Sequence, residues 1–153
     1  MIKFSRVRQE YGAFSNFANC TVTYKGLTYR SSEAAWQAQK CPERAAEFTV
    51  LNASESKRLG RHVALRADWE EIKYSEMVAV IRAKFNQHQK LKELLLSTGD
   101  EELVEDTTGW HDNTWGNCDC ARCSHIKGKN WLGKALMEVR AELRGAEHTS
   151  VIG

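Results

Sequence analysis

Glu33, Gln37 and Lys40 follow one another at intervals of four and three residues in SSEAAWQAQK, which places all three on one side of a helix. Trp36 stands beside them and alanines fill the gaps, a setting that suits a partly buried polar site. A carboxylate there can have a raised pKa and work as general acid or base. A lysine desolvated in the same place can act as a Schiff-base nucleophile. The commoner use of such a triplet is a solvated helix face with weak i, i+4 pairs.

Five other constellations carry chemistry-bearing groups. Asp112-x-x-Trp115-Gly116 sets a carboxylate beside an aromatic platform and a flexible backbone, as recognition of a planar base or a sugar requires; a turn holding a core tryptophan has the same pattern. The run Cys118-Asp119-Cys120-Ala121-Arg122-Cys123-Ser124-His125 offers Cys118, Cys120, Cys123 and His125 as soft ligands. Zinc accepts such a Cys3His set in a closed, structural tetrahedron, with Cys20, Cys41 or His111 as substitutes for His125. Gly60-Arg61, with Lys57 one turn back, is a cationic spot for a phosphate. Tyr11–Phe17 (YGAFSNF) gathers three aromatics around small and polar residues, a loop that either packs on the core or turns Phe14 and Asn16 toward a ligand. Lys127-Gly128-Lys129-Asn130 precedes the last helix and can present backbone N–H groups to an anion.

The elements that must position these groups read as follows. The first 30 residues are β and loop, with a tight hairpin over 21–29 around Lys25-Gly26. A helix capped by Ser31 or Ser32 runs from Glu33 to Cys41, where Pro42 forces a break and a new helix to Leu51. A short helix covers Ser54–Leu59 and closes at Gly60. Met77, Ile81, Phe85, His88, Leu91 and Leu95 trace one buried face of a long helix over 69–97, stopped by Gly99. The last helix spans Asn130–Arg144, with Leu132, Leu136, Val139 and Leu143 inward. Gly145 ends it, and 145–153 is expected to fray. The loop Asp106–Lys129 between the two long helices is of a length usually reserved for function or metal bracing.

Composition bounds the class. The 153 residues are 42% hydrophobic and 27% charged, which excludes wholesale disorder and fits one domain over 1–153. Twenty-two Lys and Arg against 20 Asp and Glu leave +2, too balanced to argue for nucleic-acid binding by bulk charge. Five cysteines, three of them within six residues, fit reduced thiols or metal ligands better than a secreted disulfide framework. With no stretch long enough to span a membrane and no signal-peptide pattern, the expectation is a soluble cytoplasmic protein without a membrane partner.

The blocks YGAFSNF, GLTYRSSEAAWQAQK, KRLGR, ADWEEIKYSEMVAVIRAKFNQ, LLLSTGDEELVE, DNTWG and GKNWLGKALMEVRAEL follow in an order that resembles the NADAR family, also called YbiA-like, over residues 4–144. The resemblance implies an α+β, predominantly helical single domain with a small N-terminal β portion, which cleaves N-glycosidic bonds. Two chemistries go with the family: removal of ADP-ribose from modified guanine in nucleic acid, and hydrolysis of phosphoribosylamino-pyrimidine intermediates of riboflavin synthesis. The family's helix motif falls on Glu33, Gln37 and Lys40, its Gly-Arg block on Gly60 and Arg61, its Asp-x-x-Trp-Gly motif on Asp112, Trp115 and Gly116, and its Gly-x-Asn-x-x-Gly block on Gly128, Asn130 and Gly133. The cysteine-rich insert after Gly116 departs from the pattern.

On that basis Glu33 is expected to stabilise a ribosyl oxocarbenium ion and manage protons. Lys40 forms an imine with C1′ or orients the ribose, and Asp112 positions ribose hydroxyls or water. Trp115 stacks on the base, Arg61 and Lys57 hold phosphate, and Phe14, Asn16, Gln37, Gly116 and Asn130 complete the binding set. Catalysis needs no cofactor in this reading, and any zinc is structural. A module that holds ADP-ribose or nucleic acid without turnover, and a zinc-dependent nucleic-acid adaptor, are the alternatives from other classes.

Overall fold

The computed structural model describes the backbone of residues 1–8 and 10–152 and the side chains of 1–8 and 10–146. In chain order the elements are β1 (Ile2–Phe4), a 3-10 turn (Gly12–Phe14), β2 (Val22–Tyr24), β3 (Leu27–Tyr29), α1 (Ser32–Ala38), a 3-10 segment (Pro42–Val50), α2 (Ala53–Gly60), α3 (Trp69–Gln87), α4 (Gln89–Ser97), β4 (Leu103–Glu105) and α5 (Trp131–Ile152). The fold is thus α+β and mostly helical. Its contacts divide it into two compact units, residues 16–88, and residues 1–15 together with those from 89 on.

In the 16–88 unit, β2 and β3 pair antiparallel. Lys25 and Gly26 between them both take positive φ, 49° and 85°, the twin left-handed turn whose twist matches a two-residue hairpin. Ser31 then caps α1: its side chain accepts from the Ala34 N–H at 3.1 Å. All seven residues of α1 are buried, so this helix is sheathed on every side rather than amphipathic. Ala34, Ala35 and Ala38 leave room for α2, α3 and the 3-10 segment, which all pack on it. The Trp36 indole donates to the Lys73 carbonyl at 2.9 Å and meets the Trp69 ring at 5.1 Å. A capping box starts α2, with Asn52 Oδ1 accepting from the Glu55 N–H and Glu55 Oε1 from the Asn52 N–H. Val22, Tyr29, Phe48, Val80, Ile81 and Phe85 fill the core.

In the other unit, β1 pairs in parallel with β4, Ile2 opposite Leu103 and Phe4 opposite Glu105. α4 packs on α5, and Arg140 of α5 donates to Thr98 Oγ1 and the Glu101 carbonyl at 2.9 and 2.8 Å. Phe4, Phe14, Leu95, Leu103, Leu132, Leu136 and Val139 are buried here. Among the described residues, no helix is long and apolar enough to cross a membrane.

Several boundaries differ from expectation. The helix expected over 69–97 is two helices: His88 is extended (φ −130°, ψ 100°), its Nε2 lies 2.6 Å from the Thr21 carbonyl, and Gln87 brackets the Thr23 backbone. These bonds to the strand end α3, and no local breaker announces them. The first helix stops at Ala38 rather than Cys41: Cys41, which precedes Pro42, has φ −145° and ψ 82°, outside the helical region. Pro42–Val50 is 3-10 instead of α. Gly60 is the last residue of α2, and Gly145 lies inside α5. The tail expected to fray has its side chains beyond 146 outside the described residues.

Candidate functional site

Two of the three motif side chains, Glu33 and Gln37, meet directly. Gln37 Nε2 donates to Glu33 Oε1 at 2.8 Å. Glu33 is 7% exposed and Gln37 3%, so this pair is not a solvated helix face. Asn16 fixes its head: the Asn16 carbonyl accepts from the Glu33 N–H at 3.0 Å, and its Oδ1 accepts from the Ser32 hydroxyl at 2.8 Å. Asn16 is therefore a support that sets the carboxylate's position.

Lys40 sits in the turn after α1, half-buried, its Nζ 5.4 Å over the Trp36 ring and 3.5 Å from the Gly60 carbonyl. Burial lowers its pKa; the Glu33 carboxylate opposes that, while the Arg61 and Lys57 cations add to it. One carboxylate and two further cations thus act on Lys40 here. Lys57 also lies 5.8 Å over the Phe17 ring.

Gln37 Oε1 is buried and, among the described residues, has no hydrogen-bond partner. A lone buried acceptor costs about 1–3 kcal/mol, so the free protein holds an unmet demand for a donor beside Glu33. Gly60 leaves the space for this amide: a Cβ there would stand 1.9 Å from Gln37 Oε1.

Sequence reasoning missed Lys84. Its side chain is fully buried on α3, 3.5 Å from the Ser32 hydroxyl, and burial pushes its pKa down to about 8. The signal was present: Lys84 stands next to Phe85 and three residues after Ile81, on the apolar stripe itself.

The other candidates lie in the second unit. Asp112 Oδ1 accepts from the Thr114 and Trp115 N–H groups, both at 2.9 Å, an Asx turn. Trp115 meets Trp131 edge to face at 5.4 Å. The carbonyls of Asn113, Thr114, Trp115 and Gly116 accept from the N–H groups of Lys129, Trp131, Leu132 and Asn130, so this loop satisfies the orphan donors at the head of α5. Gly116 and Gly128 make the approach possible: a Cβ on Gly128 would be 2.4 Å from the Gly116 carbonyl oxygen, and one on Gly116 would be 2.6 Å from that of Glu105. Asn130 Nδ2 donates to the Leu103 carbonyl at 2.8 Å while its Oδ1 accepts from the Glu105 N–H at 3.0 Å. Both ends of its amide latch onto β4. Phe14 is wholly buried against Phe4 and Tyr11, which makes it core.

The soft ligands also gather, with one correction. His111, Cys118, Cys120 and Cys123 bring their ligand atoms within 4.8 Å of one another, a group that could hold a metal ion. His125 is exposed and outside it, and Cys20 and Cys41 belong to the 16–88 unit. The reason is local. Asp106 bridges to Asn117, the Thr107 N–H donates to the Asn117 carbonyl and the Asn117 N–H to that of Glu105. This folds 108–116 back, and His111 at φ 58° turns beside Cys118.

Comparison with known proteins gives the family and the fold. The NADAR domain family model matches residues 3–144. The chain is 38% identical over 148 residues to N-glycosidase YbiA of Escherichia coli, covering 94% of this chain and 88% of that one. The NMR structure of E. coli YbiA superposes with a TM-score of 0.81 at 37% identity, over 95% of this chain and 86% of that one. A riboflavin biosynthesis protein of Vibrio vulnificus is 35% identical over 148 residues, 94% of this chain and 38% of its own length.

Proposed function

Because this chain belongs to the NADAR domain family, we propose that it is an N-glycosidase that hydrolyses a ribosyl C1′–N bond, and that its substrate is ADP-ribose attached to guanine in nucleic acid. The observation that carries the reading is the buried Glu33–Gln37 pair with its unpartnered acceptor, electrostatically linked through Lys40 to Arg61 and Lys57.

Breaking C1′–N spreads positive charge over C1′ and the ring oxygen. Glu33, already out of water and held by Gln37, opposes that charge without reorganising as it develops. Gln37 Oε1 takes the donor it lacks from a ribose hydroxyl or from the attacking water. Water then gives its hydroxyl to C1′ and its proton to the departing base nitrogen. By the covalent route, the ribose ring opens as its oxygen takes a proton from solvent, which the final hydrolysis returns, and the Lys40 amine adds to C1′. The base leaves with a proton, and water hydrolyses the resulting imine to the free amine and the sugar aldehyde. Arg61 and Lys57 hold the phosphates. This chemistry runs on the side chains of the 16–88 unit, and the Cys/His group is structural.

A small phosphoribosylamino-pyrimidine is the second reading, favoured by the similarity to the Vibrio protein. Product analysis by mass spectrometry separates the two. Release of ADP-ribose from an oligonucleotide carrying ADP-ribosylated guanine supports the first. Release of ribose 5-phosphate from the small substrate alone transfers the protein to metabolite clearance. No product from either substrate, with measurable affinity, makes it a binding module.

Gly60→Ala tests the support. The added Cβ must drive the Gln37 amide off Glu33, and misplacement of about 1 Å costs on the order of 100-fold in rate. We expect kcat to fall by about that factor. Adding Gln37→Ala should relieve the collision without restoring the rate. A Gly60→Ala enzyme at the wild-type rate would show that the Gln37 amide does not matter.

A further inference from the structure

We propose that His111, Cys118, Cys120 and Cys123 bind one zinc ion, with His111 coordinating through Nδ1, and that this ion clamps the Asp112–Gly116 loop against the head of α5. The distances carry it. With Zn–S near 2.3 Å and Zn–N near 2.0–2.1 Å, a tetrahedron has N···S edges of about 3.5 Å. His111 Nδ1 lies 3.4, 3.4 and 3.6 Å from the sulfurs of Cys118, Cys120 and Cys123. Four such atoms converging on one point gain little from one another as weak thiol hydrogen bonds, and a great deal around a soft divalent cation. Cys118 and Cys123 are 1% and 4% exposed, while His111 and Cys120 are partly exposed; four protein ligands leave no open position, as in a structural rather than a catalytic site.

Position in the chain gives the ion its task. His111 immediately precedes Asp112, and Cys118 follows Asn117, so two ligands bracket the loop whose carbonyls cap α5. Asn113 ties the bracket inside, its Oδ1 accepting from the Cys118 N–H at 3.0 Å. The metal would thus hold the Asx turn at Asp112 and the Gly116 carbonyl in register with Gly128 and Asn130.

The test is metal content and cobalt spectroscopy on the whole protein. Protein purified with zinc and reductant should carry one equivalent after gel filtration. Cobalt(II) should give thiolate charge-transfer bands and the intense visible bands of a four-coordinate site, bleached by added zinc. His125→Ala should keep the full equivalent; Cys120→Ser and His111→Ala should lose it, and His111→Cys should regain it. Chelation should speed amide exchange across 112–117 and 129–132. No retained zinc together with a six-coordinate cobalt spectrum overturns the site. So does a mass short of a pair of hydrogens, which marks a disulfide in its place. Zinc lost in His125→Ala but kept in His111→Ala overturns the ligand set, and unchanged exchange after chelation overturns the clamp.

Discussion

Glu33→Gln should lower kcat by about 1,000-fold or more while leaving stability within about 1 kcal/mol of the parent. The substitution keeps shape and volume. The new side chain can still accept from Gln37 Nε2, as Glu33 Oε1 does at 2.8 Å, and the Asn16 carbonyl still holds the backbone N–H. What disappears is the negative charge facing the developing cation. A second consequence separates chemistry from folding. Glu33 raises the Lys40 pKa against the burial that lowers it, so without the carboxylate the Lys40 ammonium releases its proton at lower pH. If the rate follows the free Lys40 amine, the acid limb of the residual activity moves down in the variant. Single-turnover rates across pH, with a thermal melt, measure both. A kcat within about tenfold of the parent in a folded variant would remove Glu33 from the reaction.

Much of this site was legible because it is local. The i, i+4 interval from Glu33 to Gln37 brings their side chains together whatever surrounds the helix, and Ser31 before an alanine-rich segment marks where that helix begins. Burial decided whether the triplet was a solvated face or a site, and burial depends on elements far along the chain. The break at His88 was hidden for the same reason: its cause is the carbonyl of Thr21, while the apolar stripe runs on from Phe85 to Leu95. The β1–β4 pairing joins strands of three residues each, too short to show alternation. Between His111 and His125, spacing could not choose, since the Asp106–Asn117 bridge that folds the loop depends on backbone pairing. For Asn130 and Gly116 the motif pointed to important residues; their contacts are with backbone, which a sequence pattern does not distinguish from contacts with a ligand.

Lys40→Ala should likewise lose about 1,000-fold in rate, and comparison with Lys40→Arg divides its two roles. Arginine keeps a cation beside Arg61 and Lys57 but cannot form an imine. If Lys40 is the nucleophile, both variants are inactive, and borohydride added during turnover traps a ribosyl adduct on Lys40 in the parent protein alone. If it only orients the ribose or its phosphate, Lys40→Arg keeps activity within about tenfold and borohydride traps nothing. The pH profile carries the sign. A nucleophilic amine must be unprotonated, so the rate rises with pH through the Lys40 pKa. Burial and the two neighbouring cations hold that pKa below the ordinary 10.5, which brings more free amine toward neutrality. An orienting ammonium must stay protonated, so the same titration would cut the rate as pH rises. The direction of that limb, read with the trapping result, decides between a covalent intermediate and direct attack by water.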